Sequence, residues 1–122
     1  MGRARIIVIA AAALVAGVAA SPAWAANGAL AHEEEGGKYG LSSNEESQAK
    51  ADDVAMKICG EKCKIIFRTA PKQCGAIAIA EASSVWGAGK GPAKAAAELD
   101  AVTNCQKRTK SQCKVKEFAC NH

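Results

Sequence analysis

The sequence predicts a small α+β domain stapled by disulfides, with two helices packed on one antiparallel or mixed sheet of about four to five strands. Three observations lead there. Six cysteines fall into two trios, Cys59, Cys63 and Cys74, then Cys105, Cys113 and Cys120. Helix-period and strand-period stretches alternate along the chain. The two halves can also be laid on each other as pseudo-repeats: Ala49 to Cys59 matches Ala95 to Cys105 without a gap, and Cys63-Lys64 matches Cys113-Lys114.

The N-terminus predicts an oxidising destination for these thiols. Arg3 and Arg5 precede an apolar run from Ile6 to Ala20, and Ala23-Trp24-Ala25 forms a small-residue cleavage pattern. The run is fifteen residues, short of the roughly 20 that a bilayer span needs. Residues 1–25 therefore read as a signal peptide of a secreted or periplasmic protein. The first cysteine is Cys59, far from the cleavage site, which argues against a lipid anchor. Removal of residues 1–25 from the 122 leaves 97. Their aromatics are Tyr39, Phe67, Trp86 and Phe118. A core this modest leans on covalent staples, and an even number of exported cysteines reads as a disulfide framework.

Residues 26–38, with Glu33-Glu34-Glu35-Gly36-Gly37, read as a flexible polar leader. The duplicated cysteine-rich domain is expected over 39–122, opening with a short strand at Tyr39-Gly40-Leu41. Ser43 with Glu46 three residues on predicts a capping box. The helix it opens carries Ala51, Val54, Ala55 and Ile58 as one apolar stripe and ends at Cys59-Gly60. Cys63 to Arg68 is the next strand. Cys74 to Ala80 follows with clean alternation, Ile77 and Ile79 on one face and Ala76, Ala78 and Ala80 on the other. Glu81 to Ser84 is a hairpin connection. Val85 to Lys90 is a strand whose Gly87 and Gly89 allow a close backbone approach. Gly91-Pro92 opens a second helix running to about Cys105, and the last strand is Cys113 to Cys120.

Six cysteines allow many connectivities. With three per half, at least one bridge must join the halves if all six pair. A symmetric pattern is Cys59 with Cys63, Cys105 with Cys113, and Cys74 with Cys120 across the halves.

Cys74-Gly75-Ala76-Ile77-Ala78, Trp86-Gly87, Ala95-Ala96-Ala97-Glu98, Cys105, Cys113-Lys114-Val115 and Cys120-Asn121 together resemble a secreted bacterial family, domain of unknown function 4189, over about residues 39–121. The resemblance implies export and this cysteine framework, and supplies no catalytic residues. The first half departs from the pattern, because the strand expected before Tyr39-Gly40 reads as short or missing.

Chemistry is sparse. Cys59-x3-Cys63 is looser than common zinc spacing, and His32 and His122 fall in the expected tails, so neither a metal nor another cofactor is expected. No histidine lies between them to activate a serine or thiol. Glu45, Glu46, Asp52, Asp53, Glu98 and Asp100 read as helix-surface acids rather than a catalytic pair. Charge is the remaining lead. Ala26 to Ile58 carries three basic and seven acidic residues, whereas Cys59 to His122 carries eleven and five. Lys107, Arg108, Lys110, Lys114 and Lys116 form a candidate anion-binding edge. Without aromatics beside it, this edge argues against nucleic acid. The expected function is a non-catalytic binding module meeting an envelope or extracellular protein or an anionic surface. The rivals are a small secreted enzyme acting on cell-wall material, or an inhibitor of a secreted hydrolase presenting Glu81 to Ser84.

Overall fold

The computed structural model describes residues 26–122; the expected signal peptide, 1–25, lies outside them. The described chain runs β1 (Asn27–Glu33), β2 (Tyr39–Glu45), α1 (Gln48–Cys59), β3 (Cys63–Thr69), β4 (Cys74–Ala80), β5 (Val85–Gly91), α2 (Lys94–Gln106) and β6 (Lys114–Cys120). It is α+β with two helices, as expected, but the strands form two antiparallel three-stranded sheets, β2-β1-β3 and β5-β4-β6.

The first half thus departs from expectation at its start. Asn27–Glu33 lies in the region taken for a flexible leader, yet it is the central strand of the first sheet, and Ala29, Leu30 and Ala31 are fully buried. The domain opens at residue 27 rather than 39, and His32 belongs to the core rather than to a tail. The strand is inconspicuous because its apolar residues are mostly alanine and an acidic run follows it. Its side-chain alternation nonetheless matches β4. Ala29 and Ala31 pack with Ala51, Ala55 and Cys59 of α1, as Ala76, Ala78 and Ala80 pack with Ala97, Ala101 and Cys105 of α2.

The opposite strand faces meet. Leu30, Leu41 and Ile77 form a third buried cluster with Tyr39, Phe67, Ile79 and Trp86. Successive side chains of a strand point to opposite faces, so each sheet covers a helix with one face and the other sheet with its second. The result is a layered α/β/β/α arrangement with large residues between the sheets and small ones under the helices.

The helix contacts are close because the facing positions carry little side chain. A Cβ on Gly40 would lie 2.1 Å from the Ala55 carbonyl oxygen, and one on Gly87 would lie 2.2 Å from the Cys105 nitrogen. This closeness corrects the expected stripe of α1. The buried row is Ala51, Ala55 and Cys59, while Ile58 is 60% exposed. The cap also moves. Ser43 and Glu46 do not form a capping box; Ser43 lies within β2, and the Ser47 side chain accepts from the Lys50 amide at 3.1 Å. Gly60, at φ 120°, ends the helix and donates to the Met56 carbonyl, a conformation that costs glycine least.

Three disulfides close the molecule: Cys59–Cys63, Cys105–Cys113 and Cys74–Cys120. The pairs are the symmetric set, with one correction. Cys74 opens β4 and Cys120 ends β6, and the two stand opposite each other in the second sheet. Their bridge therefore lies within the second half and does not cross between halves. Cys74 belongs to the second half, so the first half pairs two cysteines and the second pairs four, each within itself.

Candidate functional site

The two sheets bring together residues that are distant in sequence at His32. This residue sits in β1 opposite Tyr39, as Ile79 sits in β4 opposite Trp86. Across the sheet interface, the His32 ring stacks on the Trp86 indole with centroids 3.8 Å apart and planes 14° from parallel. The Arg108 guanidinium lies 5.1 Å from the Trp86 ring, and its Nη1 donates to the Trp86 carbonyl at 2.8 Å. A cation over an indole is attracted by the ring quadrupole. Arg108 is thus drawn away from the lysines it neighbours in sequence.

His32 is 1% exposed. Its Nδ1 is bonded to the Glu33 carbonyl, and its Nε2 has no hydrogen-bond partner among the described residues. Burial holds the imidazole below its ordinary pKa; the Glu33 carbonyl opposes this, the Arg108 charge adds to it, and the Glu33 carboxylate opposes it. Nearby, burial and the Glu117 carboxylate push the Tyr39 hydroxyl up.

Two clefts open beside the His32–Trp86 pair. One, of about 240 Å³, is lined by His32, Glu34, Lys64, Ile66, Trp86 and Arg108. The other, of about 180 Å³, runs past Gly36, Gly37, Ile79, Glu81 and Ser84. A third hollow of about 390 Å³ lies along Glu33, Glu34, Glu35 and Lys62, its carboxylates coming from three consecutive residues at the end of β1.

The other sequence candidates are dispersed. Lys107, Lys110 and Lys114 are exposed and make no ion pair among the described residues, while Lys116 pairs with Glu81 at 3.6 Å. Asp52 accepts three contacts from Arg68, of 2.7, 3.0 and 3.1 Å, Asp53 pairs with Lys57, and Asp100 accepts from the Lys90 amide. Among the described residues, no group of three or more histidines, cysteines or acids is placed to hold a metal ion. His32 is the residue that sequence reasoning misplaced. The signal for it was present in the alternation of Ala29-Leu30-Ala31-His32, which repeats that of Ala76-Ile77-Ala78-Ile79.

The paired sheets, flanking helices and three bridges define a class, a cystine-stapled α+β domain. Comparison with known proteins narrows it. The model of the family described as domain of unknown function (DUF4189) matches residues 27–120, and the chain belongs to that family. The NMR structure of Rv1813c from Mycobacterium tuberculosis is similar, with a TM-score of 0.60 and 25% sequence identity, covering 96% of this chain and 99% of that one. No curated protein matches the chain. The disulfides are consistent with an extracellular or periplasmic location, and among the described residues no helix is long and apolar enough to cross a membrane.

Proposed function

We propose that the domain is a non-catalytic binding module, secreted or periplasmic, that contacts a partner in the bacterial envelope or extracellular space through a basic edge. The observation that carries this reading is the unneutralised charge of Lys107, Lys110 and Lys114. These residues cluster where α2 ends and β6 begins, and they engage no acid among the described residues. Exposed lysines held on a disulfide-closed frame attract an anionic surface at long range, and salt screens that attraction.

The enzyme reading has less support. A carboxylate pair of the glycosidase kind faces across a bound substrate. The acids of the hollow of about 390 Å³ are consecutive residues, Glu33 to Glu35, at the end of β1, and Asp52 and Asp53 are already paired with cations. The test is retention of the oxidised domain on an anionic matrix across a salt gradient. Replacing Lys107, Lys110 and Lys114 together by alanine is expected to move elution to clearly lower salt. Unchanged elution of the triple variant removes the basic edge from the proposal.

A further inference from the structure

An edge strand presents main-chain N–H and C=O groups that its own sheet leaves unused. On three of the edges the fold answers some of these. Along β5, Arg108 donates to the Trp86 carbonyl, Asn104 donates to the Ala88 carbonyl, and Asp100 accepts from the Lys90 amide. Lys90 also donates to the Arg68 carbonyl of β3, and the Asn44 amide of β2 donates to Asn121. β6 differs. It ends its sheet, and among the described residues nothing outside β4 bonds the main chain of Lys114–Cys120. Lys114 to Phe118 are all exposed.

An apolar floor lies beside this open edge. Val115 stands opposite Ala78 and Phe118 opposite Ala76, and the register shift between Ile77 and Ala78 puts both on the face that α2 covers. They are 37% and 42% exposed. The first half closes the matching place, where Arg68 stands opposite Ala29 and bonds Asp52 of α1. Phe118 instead lies under the Lys94 ammonium, 4.3 Å from its ring centroid.

Charge decides what fits there. Lys114 and Lys116 belong to β6, Lys94 flanks its Phe118 end, and the basic edge flanks its Lys114 end. The acids nearby are fewer. Glu81 is paired with Lys116, Glu98 is on α2, and Glu117 faces the Tyr39 hydroxyl. Lysines on an edge oppose pairing with a second copy of the same strand. Opposite charges across a strand pair attract, so the same lysines favour a strand that carries acids.

We propose that β6 takes up an extended, acid-bearing peptide segment of a partner protein as an added outer strand. Its main chain bonds the open edge, its apolar side chains cover Val115 and Phe118, and its acids meet the lysines at the Lys114 end. Main-chain bonds supply affinity in such strand addition, and the alternate side chains supply specificity. The inference rests on the binding-module reading and names the class of partner for that edge.

The test is a titration of the oxidised domain with peptides of seven residues, the length of β6. One alternates valine with glutamate, one alternates valine with lysine, and one is the acidic peptide with every amide N-methylated. The acidic peptide is expected to slow hydrogen exchange at the outward β6 amides, read by NMR, and to bind about tenfold or more tightly than the other two. Phe118→Thr is expected to weaken it severalfold. Unchanged β6 amides overturn the inference, as does equal binding of the N-methylated peptide. So does a peptide-free dimer with protected β6 amides, which would make a second copy the occupant. Unaltered affinity in a folded Phe118→Thr variant also overturns it, and the N-methylated comparison stands on the parent protein if that variant does not fold. Matrix retention of the Lys107/Lys110/Lys114 alanine variant reports the basic edge alone, because the matrix offers no strand. The N-methylated comparison reports strand addition alone, because both peptides carry the same charge, so failure of either reading is seen independently of the other.

Discussion

The two halves of this domain use the same element order, β-β-α-β, with the first strand of each at the centre of its sheet. They differ at a few matched positions. Gly40 and Gly87 both let a helix backbone approach. Ser42 of the first half, however, stands where the second has Gly89. Ser42 Oγ accepts from the Ala29 amide at 3.0 Å and donates to the Ala51 carbonyl at 2.8 Å, linking strand to helix. At Gly89 a Cβ would lie 2.3 Å from the Ala101 nitrogen. At this position the second half packs strand backbone on helix backbone where the first uses a side-chain hydrogen bond, and the second half also carries two of the three disulfides. It is also the first half that places a polar ring, His32, between the sheets. The half with the tighter frame supplies Trp86 and Arg108 to hold that ring, so rigidity and polarity are divided between the halves.

A large break in this comparison is expected at Gly87. A Cβ would meet the backbone of Cys105 and Ala101 rather than a yielding side chain. Gly87→Val should therefore cost about 3 kcal/mol or more, a large share of a small domain's stability. Urea unfolding of the oxidised protein checks it. Gly37→Ala is the control, since nothing lies within 4 Å of a Cβ there, and it should change stability by no more than about 0.5 kcal/mol.

Removing bridges should rank the halves next. Cys74 and Cys120 are separated by 46 positions, and Cys59 and Cys63 by 4. On the loop-entropy account, losing the first pair costs about 4 kcal/mol and losing the second about 2. Paired alanine variants compared in urea test this order. Equal losses would show that the chain-entropy term does not govern the difference.

The second half was readable from sequence because its residues state their roles plainly. Ile77 and Ile79 alternate with alanines, Gly87 and Gly89 announce a close approach, and the cysteines mark element ends. The first half hid its central strand in Asn27-Gly28-Ala29-Leu30-Ala31-His32-Glu33, where small residues give little β signal. With β1 missing, β2 and β3 lacked a central partner and had to be counted into a single sheet, so the strand count and the sheet count went wrong together. The candidate site was unreadable for the same reason. It forms only where β1 of one sheet meets β5 of the other. Arg108 was chosen for its charge, and nothing local in the sequence places it on an indole.

His32 predicts a pH response confined to the first half's polar position. Burial, with the Arg108 charge beside it, lowers the folded-state pKa against the opposing Glu33 carbonyl and carboxylate. Below about pH 6.5 the unfolded chain then binds a proton that the folded chain resists, so this contribution to stability falls as pH drops toward the lowered value. His32→Ile, which copies the matching residue Ile79, should flatten that part of the curve. Unfolding of both proteins between neutral and mildly acidic pH gives the comparison, because the carboxylates common to both cancel in the difference. Parallel curves would mean that the imidazole titrates alike in both states.

The smallest effect lies at the helix starts, where the halves differ again. Ser47 caps α1 by accepting from the Lys50 amide, while Ala93 begins α2 with extended backbone at φ −149° and no side-chain cap. Both positions have the cap geometry, and only one has an oxygen to use it. Ser47→Ala should cost about 1 kcal/mol, and Ala93→Ser should return a similar or smaller gain. The pair is informative because neither change touches the core. If Ala93→Ser adds nothing while Ser47→Ala destabilises, the start of α2 is already held by the glycine-backed contacts of Gly89 and Gly91 with the turn around Ala96 and Ala97. Packing would then be setting that terminus, which is the contrast that Ser42 and Gly89 show at their matched position.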